Sequence, residues 1–497
     1  MIPALEDRRI LGIRLHVIVL ALLAGVLVWN ASLRVQLLLQ HRTELGGVEH
    51  NVIHGIQKIM LGQDLYQDPE LPPFDVMQYT PGYYLLCAGV GKMLGLQGDD
   101  ARSIFLLSRS LALVLWCLTG WLVYRTGRAA GAAPWASLLA TGITLCSSWE
   151  QSFSRMDALA EVTTIGAVLL FLRWMASGSE RSLMLAGAVA VLGLFSKQSA
   201  MAVSIAPLLY LFITRQWNAV RTLLLSMGAT VLCCAGVLLK LGTLDALYQN
   251  VVLGLRNGFS GMMYADLFDP ATYKYFIGWH LLAAVVVIRA WRSTHGPLRF
   301  LSLVMSISLA IAMVTGLKYG SRLNYLHESL MLTFVSAAAL LPRLEQKRWS
   351  SLFAWSFAGY GLLFAAFRTN SVLAWFRLGE PDAIHARHMT DDKAVHALLV
   401  GELGLKPDEY VFVTYREYLE HYLVGQSVLT QKDIVQYSKD RLYDYSAFHR
   451  AMTDGTVRFV ITDGAKGPIS CLDSTYAGWE PIRAVNGRII LVRAARP

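Results

Sequence analysis

Apolar runs of bilayer-crossing length recur along most of this chain and are separated by short polar turns. They fall at about 15–38, 104–124, 134–149, 158–176, 182–196, 199–214, 220–240, 273–289, 299–317, 327–342 and 350–367. A helix rises about 1.5 Å per residue and a hydrocarbon core is about 30 Å thick, so each run predicts a membrane-spanning helix. The shorter ones need tilt or local thinning. About eleven spans are expected. One further apolar stretch, Gly82–Leu96, is interrupted by Gly89, Gly91 and Lys92. It is expected to lie at the interface or re-enter, because a full crossing would invert every later loop.

The pattern changes after residue 367. Hydrophobicity falls, and short strand-like runs appear at Tyr410–Thr414, Arg458–Thr462 and Arg488–Arg493, with helix-like stretches at 392–403 and 445–452 between them. Strands alternating with helices predict a small α/β domain. The expected architecture is a polytopic α-helical membrane domain over 1–367, including a first outside loop at 41–103, followed by an α/β domain over 368–497.

Composition agrees: 55% of the residues are hydrophobic and 16% charged, against about a quarter charged in soluble domains. The net charge of +9 raises the possibility of nucleic-acid binding, but the cations form no patch interleaved with aromatics. They sit at the ends of apolar runs. With a cytoplasmic N-terminus, one set of loops holds Arg8, Arg9, Arg14, Arg125, Arg128, Arg173, Arg181, Arg215, Arg221, Arg289, Arg292, Arg299, Arg343, Lys347 and Arg348. The short loops on the other side hold Arg155, Lys197, Arg256, Lys274, Lys318 and Arg322. The positive-inside rule then places the first loop and the C-terminal domain outside the cytoplasm. Cys87, Cys117, Cys146, Cys233, Cys234 and Cys471 form no CxxC pair, which argues against a zinc module or a disulfide framework.

Charges at membrane boundaries are costly and mark function. The outside set Glu49, Arg155, Asp157, Glu161, Lys197, Lys318, Arg322 and Glu328 falls at one depth, the geometry of an active-site floor. Glu49 opens a short helix whose apolar positions Val48, Val52, Ile56, Ile59 and Met60 recur at helical spacing and make one face expected to lie on the membrane. It could act as a general base or simply favour the helix N-terminus. His50 and His54 could share a helix face as metal ligands, but no third ligand is evident, so substrate hydrogen bonding or packing is the competing reading. Tyr79 and Tyr83 lie in a Pro- and Gly-containing aromatic segment suited to a sugar ring or a polyprenyl chain, or to an interfacial belt. Arg155 could pair with Asp157 or grip a phosphate. Lys197, beside Gln198, could hold a phosphate or snorkel. Lys318, Arg322, Asn324, Tyr325 and Glu328 crowd one short turn.

These elements together resemble the bacterial GT-C membrane glycosyltransferases, the group that includes family-39-like mannosyl- and aminoarabinose transferases. The resemblance rests on an acid opening the first-loop helix, on Gly62-Gln-Asp-Leu-Tyr66 and Tyr79-Thr-Pro-Gly-Tyr-Tyr84, and on Arg155-Met-Asp157, Lys197-Gln198 and Lys318-Tyr-Gly-Ser-Arg-Leu-Asn-Tyr-Leu-His-Glu328. It implies a bacterial inner-membrane enzyme that moves a sugar, with inversion, from a polyprenyl-phosphate donor to an acceptor glycan, lipid or protein. It also implies Glu49 as the base, and Lys197, Arg155, Lys318 or Arg322 as the donor-phosphate ligands. Many relatives carry an aspartate or an Asp-Glu pair where this chain has Val48-Glu49, so metal independence is expected, with a divalent cation as the lesser alternative. Two rivals remain: a polymerase or ligase using polyprenyl-pyrophosphate oligosaccharides, and a lipid flippase or transporter.

Overall fold

The computed structural model describes residues 9–10, 13–45, 48–148, 153–256, 258–344, 347–378, 380–415, 417–430, 443–463 and 478–494. The short strands β1 (Arg9–Ile10) and β2 (Ile13–Arg14) pair ahead of α1 (Leu15–Leu39). Two short helices follow, α2 (Glu49–Met60) and α3 (Gly82–Met93). The bundle continues with α4 (Ala101–Ala129), α5 (Pro134–Ser147), α6 (Asp157–Ser177), α7 (Glu180–Ser196), α8 (Ala202–Ile213) and α9 (Trp217–Leu238). It is completed by the small α10 (Leu244–Leu247) and α11 (Met262–Phe268), then α12 (Pro270–Arg292), α13 (Gly296–Thr315), α14 (His327–Leu340) and α15 (Lys347–Leu378).

Seven of these, α1, α4, α6, α9, α12, α13 and α15, are long and apolar enough to cross a membrane. The shorter α5, α7, α8 and α14 pack among them along the expected apolar runs. α14 is the axis of the bundle. Every residue from Ser329 to Leu340 is buried, and its Ser329, Thr333 and Ser336 hydroxyls donate to carbonyls of the preceding turn. That removes the cost of burying them where no water is available. α9 is the opposite case: only Leu223 and Ser226 are buried along it, and Leu224, Leu225, Val231 and Leu232 are exposed, as a lipid-facing helix requires. α3 stays at the end where α1 stops and α4 begins, an end tied together by Arg102 donating to the Gln40 carbonyl at 2.7 Å. α15 runs past the expected end at residue 367 to Leu378.

Beyond the bundle come α16 (Asp382–Gly401), β3 (Tyr410–Val413), α17 (Leu419–Tyr422), α18 (Ser446–Asp454), β4 (Val457–Thr462), β5 (Trp479–Val485) and β6 (Arg488–Arg493). The sheet order is β3-β4-β6-β5, with β3 and β4 parallel and the other pairs antiparallel. Strand alternation sends Val411 and Val413 to the face covered by Val395, Leu398 and Leu399 of α16. Phe412 and Val460 face Phe448, Ala451 and Met452 of α18. β5 was not expected from the sequence. It contains Pro481 and is almost wholly exposed, which is tolerated because it is an edge strand.

The C-terminal unit shares a core with the first loop. Phe74 enters the α18 cluster, with its ring centroid 5.5 Å from that of Phe448. Leu429 N–H donates to the Pro73 carbonyl at 3.0 Å, and the Thr430 hydroxyl donates to Asp75 at 2.7 Å. This burial corrects one expectation. The apolar face of α2 does not lie on a membrane surface. Val52, Ile53 and Ile56 are fully buried, sandwiched by α3 and α4. Cys87, Cys117, Cys146, Cys233 and Cys234 are free thiols; Cys471 lies outside the described residues.

Candidate functional site

Antiparallel packing brings opposite helix poles to one end of the bundle. The first turns of α6 and α14 carry Asp157 and Glu328, where the N-terminal partial positive charge favours an acid. Lys197 is the residue immediately after α7, where the C-terminal pole favours a cation, and Lys318 follows α13 by three residues. The helices run in alternate directions, so acids and lysines interleave at the same depth.

At this end Asp157, Glu161 and Thr164 of α6, Lys197, Ser308 and Thr315 of α13, and Asn324, Tyr325, His327 and Glu328 line a narrow cleft. Lys197 Nζ donates to Asp157 Oδ1 at 2.7 Å and sits 4.8 Å from the centre of the Tyr325 ring. Asn324 Nδ2 donates to the same Asp157 oxygen at 3.1 Å, and Arg155 Nε to the other at 3.1 Å. Burial is the largest influence and works to depress the Lys197 ammonium, but Asp157 and Tyr325 together more than reverse it and hold the group above the ordinary lysine value. Lys318 has no such partner among the described residues, and burial with nearby Lys197 pushes it down to about 8. Glu161 approaches His327 Nδ1 at 3.5 Å. Glu328 Oε1 is buried without a hydrogen-bond partner among the described residues.

Tyr79 joins the rim: Tyr325, Arg155, Asp157 and the half-buried Glu44 all lie within electrostatic reach of its phenol. Gln198 is adjacent, but its amide is spent on the Gln78 carbonyl at 2.7 Å.

Glu49 stands behind this cleft and does not line it. It is fully buried. Arg109 grips it with both ends of its fork, Nε to Oε1 and Nη2 to Oε2, each at 2.8 Å. The backbone N–H groups of Ser154 and Leu45 donate to it at 2.9 and 3.1 Å. Burial pushes the Glu49 carboxyl up, but Arg109 and these donors more than reverse that and hold it below its ordinary value. Such a carboxylate is a tie between α2, α4 and the segment leading to Asp157. Glu44 takes the more open position, accepting from the N–H groups of Glu49 and His50 at 3.2 and 3.4 Å.

Four other candidates lie apart from the cleft. Arg322 is half exposed and pairs with Asp266 of α11 at 2.9 Å. Tyr83 is buried and bonds to Ser108 of α4. His50 lies 2.5 Å from Glu420 and 2.9 Å from His421 in the C-terminal unit, whereas His54 faces Asp75 at 3.2 Å. The two histidines thus take different partners and do not converge. Expected residues 46–47 and 149–152 lie outside the described ones.

Sequence reasoning missed Arg109 and Glu44. Arg109 was detectable: it is an arginine in the third turn of an apolar helix, where a charge needs a partner. Glu44 carries no distinguishing signal beyond its closeness to Glu49. Arg34 and Arg368 were also passed over. Arg34 donates to the Leu145 and Ser148 carbonyls at 3.1 and 2.8 Å, and Arg368 to the Ser147 carbonyl at 3.1 Å. They cap the end of α5 and so fix the start of the segment that carries Arg155 and Asp157.

A bundle of alternating helices, closed at one end by a long first loop and a small α/β unit with a charged cleft beneath, is the GT-C fold of membrane glycosyltransferases. The family model of dolichyl-phosphate-mannose-protein mannosyltransferases matches residues 88–239. ArnT from Cupriavidus metallidurans in the apo state superposes with a TM-score of 0.60 at 12% identity, covering 96% of this chain and 97% of that one. The oligosaccharyltransferase AglB from Archaeoglobus fulgidus, solved with an inhibitory peptide and a dolichol-phosphate, gives 0.53 at 12% identity over 90% of this chain and 69% of that one. An apo form of the Archaeoglobus fulgidus oligosaccharyltransferase gives 0.51 at 13% identity, covering 93% and 73%. No curated protein sequence matches the chain.

Proposed function

We propose that this chain is an inverting glycosyltransferase of the bacterial inner membrane, moving a sugar from a polyprenyl-phosphate donor to an acceptor on the extracytoplasmic side. The observation that carries the proposal is the cleft at the capped end of the bundle that Lys197 lines, with Arg155 bonded to its Asp157 and Lys318 within electrostatic reach of Lys197. Arg125, Arg128, Arg173, Arg181, Arg215, Arg221, Arg289, Arg292 and Arg343 fall at the opposite ends of their helices, which by the positive-inside rule supports the capped end facing outward. The dolichol-phosphate named for the Archaeoglobus AglB structure supports a lipid phosphate as the ligand class.

In the proposed step the acceptor oxygen or nitrogen forms a bond to the anomeric carbon from the face opposite the phosphate. The bond from that carbon to the phosphate oxygen breaks, and its electron pair leaves on the polyprenyl phosphate. Lys197 has two ammonium protons beyond the one given to Asp157. With Lys318 and Arg155 it stabilises the growing phosphate charge, while Asp157 and Asn324 hold Lys197 in place. Tyr79 and Tyr325 offer ring faces to the sugar. We assign removal of the acceptor proton to Glu44, with Glu49 as the positioning residue behind it, because Glu44 is half-buried and within electrostatic reach of Tyr79, whereas Glu49 is enclosed.

The test is to incubate purified protein with a panel of polyprenyl-phosphate-linked sugars and measure free polyprenyl phosphate. A transferase releases it, a flippase releases none, and a polymerase or ligase requires a pyrophosphate-linked donor. Glu44→Gln keeps one of the two oxygens that accept the Glu49 and His50 N–H groups and should lower kcat about 10²–10⁴-fold, the usual contribution of a general base, with only a small drop in Tm. Unchanged kcat would remove Glu44 from that role.

The pH profile offers a second check. Lys318 binds phosphate only when protonated, and its ammonium is pushed down to about 8. Donor capture should therefore be full below that pH, and kcat/KM should fall as pH rises through it. Lys318→Arg, which cannot lose its charge in this range, should remove the alkaline limb. A limb that persists in Lys318→Arg would show that another group titrates.

A further inference from the structure

A second cluster of ligand-type side chains lies away from the cleft, where the chain leaves α15 and starts α16. Glu380, His385 and His388 place one ligand atom each within 4.8 Å of one another. His385 and His388 are three residues apart, so they share a face of α16. Glu417, just ahead of α17, reaches in from the other side: its Oε1 lies 3.4 Å from His388 Nδ1 and 3.7 Å from His385 Nδ1. His385 is 8% exposed, yet among the described residues neither of its ring nitrogens finds a hydrogen-bond partner, and neither does the buried Glu417 Oε2. Leaving such groups unpaired costs about 1–3 kcal/mol each, so the arrangement calls for a ligand that satisfies several of them at once.

We propose that His385, His388, Glu417 and Glu380 bind a divalent transition cation, with zinc the best match. Two imidazoles and two carboxylates form a borderline nitrogen and oxygen set, and four ligands suit tetrahedral zinc. Ligand bonds of about 2.1 Å put tetrahedral donor atoms about 3.4 Å apart. The three atoms now within 4.8 Å therefore close by roughly 1 Å through side-chain rotation. Glu380 is exposed, so it can swing inward or leave the fourth position to water. The ion joins the first turns of α16 to the segment before α17. It thereby fixes how the C-terminal unit is attached to the end of α15. It is a structural tie, separate from the transfer reaction.

The experiment uses the full-length protein in detergent, stripped with a chelator and then supplied with Zn²⁺ alone. Wild type should retain about one equivalent of zinc after dialysis, measured by elemental analysis, and its Tm should rise on zinc addition. His388→Ala and Glu417→Gln should each weaken zinc binding about tenfold or more and abolish that rise, with Tm in the absence of metal near the wild-type value. Co²⁺ substitution should give visible absorption bands that are lost in His388→Ala. If His385→Ala fails to fold, the half-buried His388 still provides the test. Wild type retaining no zinc, or variants binding it as tightly as wild type, would overturn the site.

Discussion

Lys197→Ala is expected to lower sugar transfer about 10²–10³-fold, the range seen when one preorganised charge-stabilising group is deleted, while the protein remains folded. Lys197 is the single cation among the residues lining the cleft, and its charge is secured by Asp157 at 2.7 Å. Removing it leaves Asp157 still bonded by Arg155 and Asn324, each at 3.1 Å, so no buried carboxylate is abandoned. The loss should appear in kcat, because the phosphate gains charge as it departs and the lysine interacts more strongly with the transition state than with the bound donor. Release of polyprenyl phosphate measured beside Tm separates this outcome from misfolding. Near-normal turnover in Lys197→Ala would place the donor phosphate elsewhere.

The second large effect falls on stability. Glu49→Ala leaves the fully buried Arg109 guanidinium without its carboxylate, and Arg109→Ala leaves Glu49 without its cation. Breaking a buried pair by removing one partner costs about 3–5 kcal/mol. Arg109→Ala should be the worse of the two, because its guanidinium also donates to the Gln40 and Arg42 carbonyls at 2.7 and 2.6 Å. The double variant should cost less than the sum of the single ones, the signature of direct coupling. Unfolding midpoints in detergent read this out. The same variants separate the two first-loop acids. Were Glu49 the base, Glu49→Gln would keep its stability and lose turnover, whereas a positioning residue loses stability first.

Much of the architecture was legible because lipid imposes a simple pattern on sequence. Apolar runs located α1, α4–α9 and α12–α14 to within about five residues and the start of α15, and the interrupted stretch 82–96 holds the short α3 (Gly82–Met93). The co-location of Arg155, Asp157, Lys197, Asn324, Tyr325 and Glu328 was also readable, since alternating helices put these loop positions at one depth. What the pattern could not supply was depth within the protein. Glu49 and Glu44 are five residues apart in the same loop, and only packing against Arg109 determines which is enclosed. Arg322 sits in the same turn as Asn324, but Asp266 of α11 draws it outward. His50 and His54 looked like a helix-face pair until the C-terminal unit supplied Glu420 and His421 to one and the loop supplied Asp75 to the other. Contacts across hundreds of residues leave no local periodicity to read.

The most direct measurement is a structure of the full-length protein with a polyprenyl phosphate bound. The account predicts the phosphate in the cleft under the C-terminal unit, within hydrogen-bond distance of Lys197 Nζ and beside Lys318, with the lipid tail leaving between the helices. A phosphate bound anywhere else, with Lys197 still engaged by Asp157 and Tyr325 alone, would contradict it.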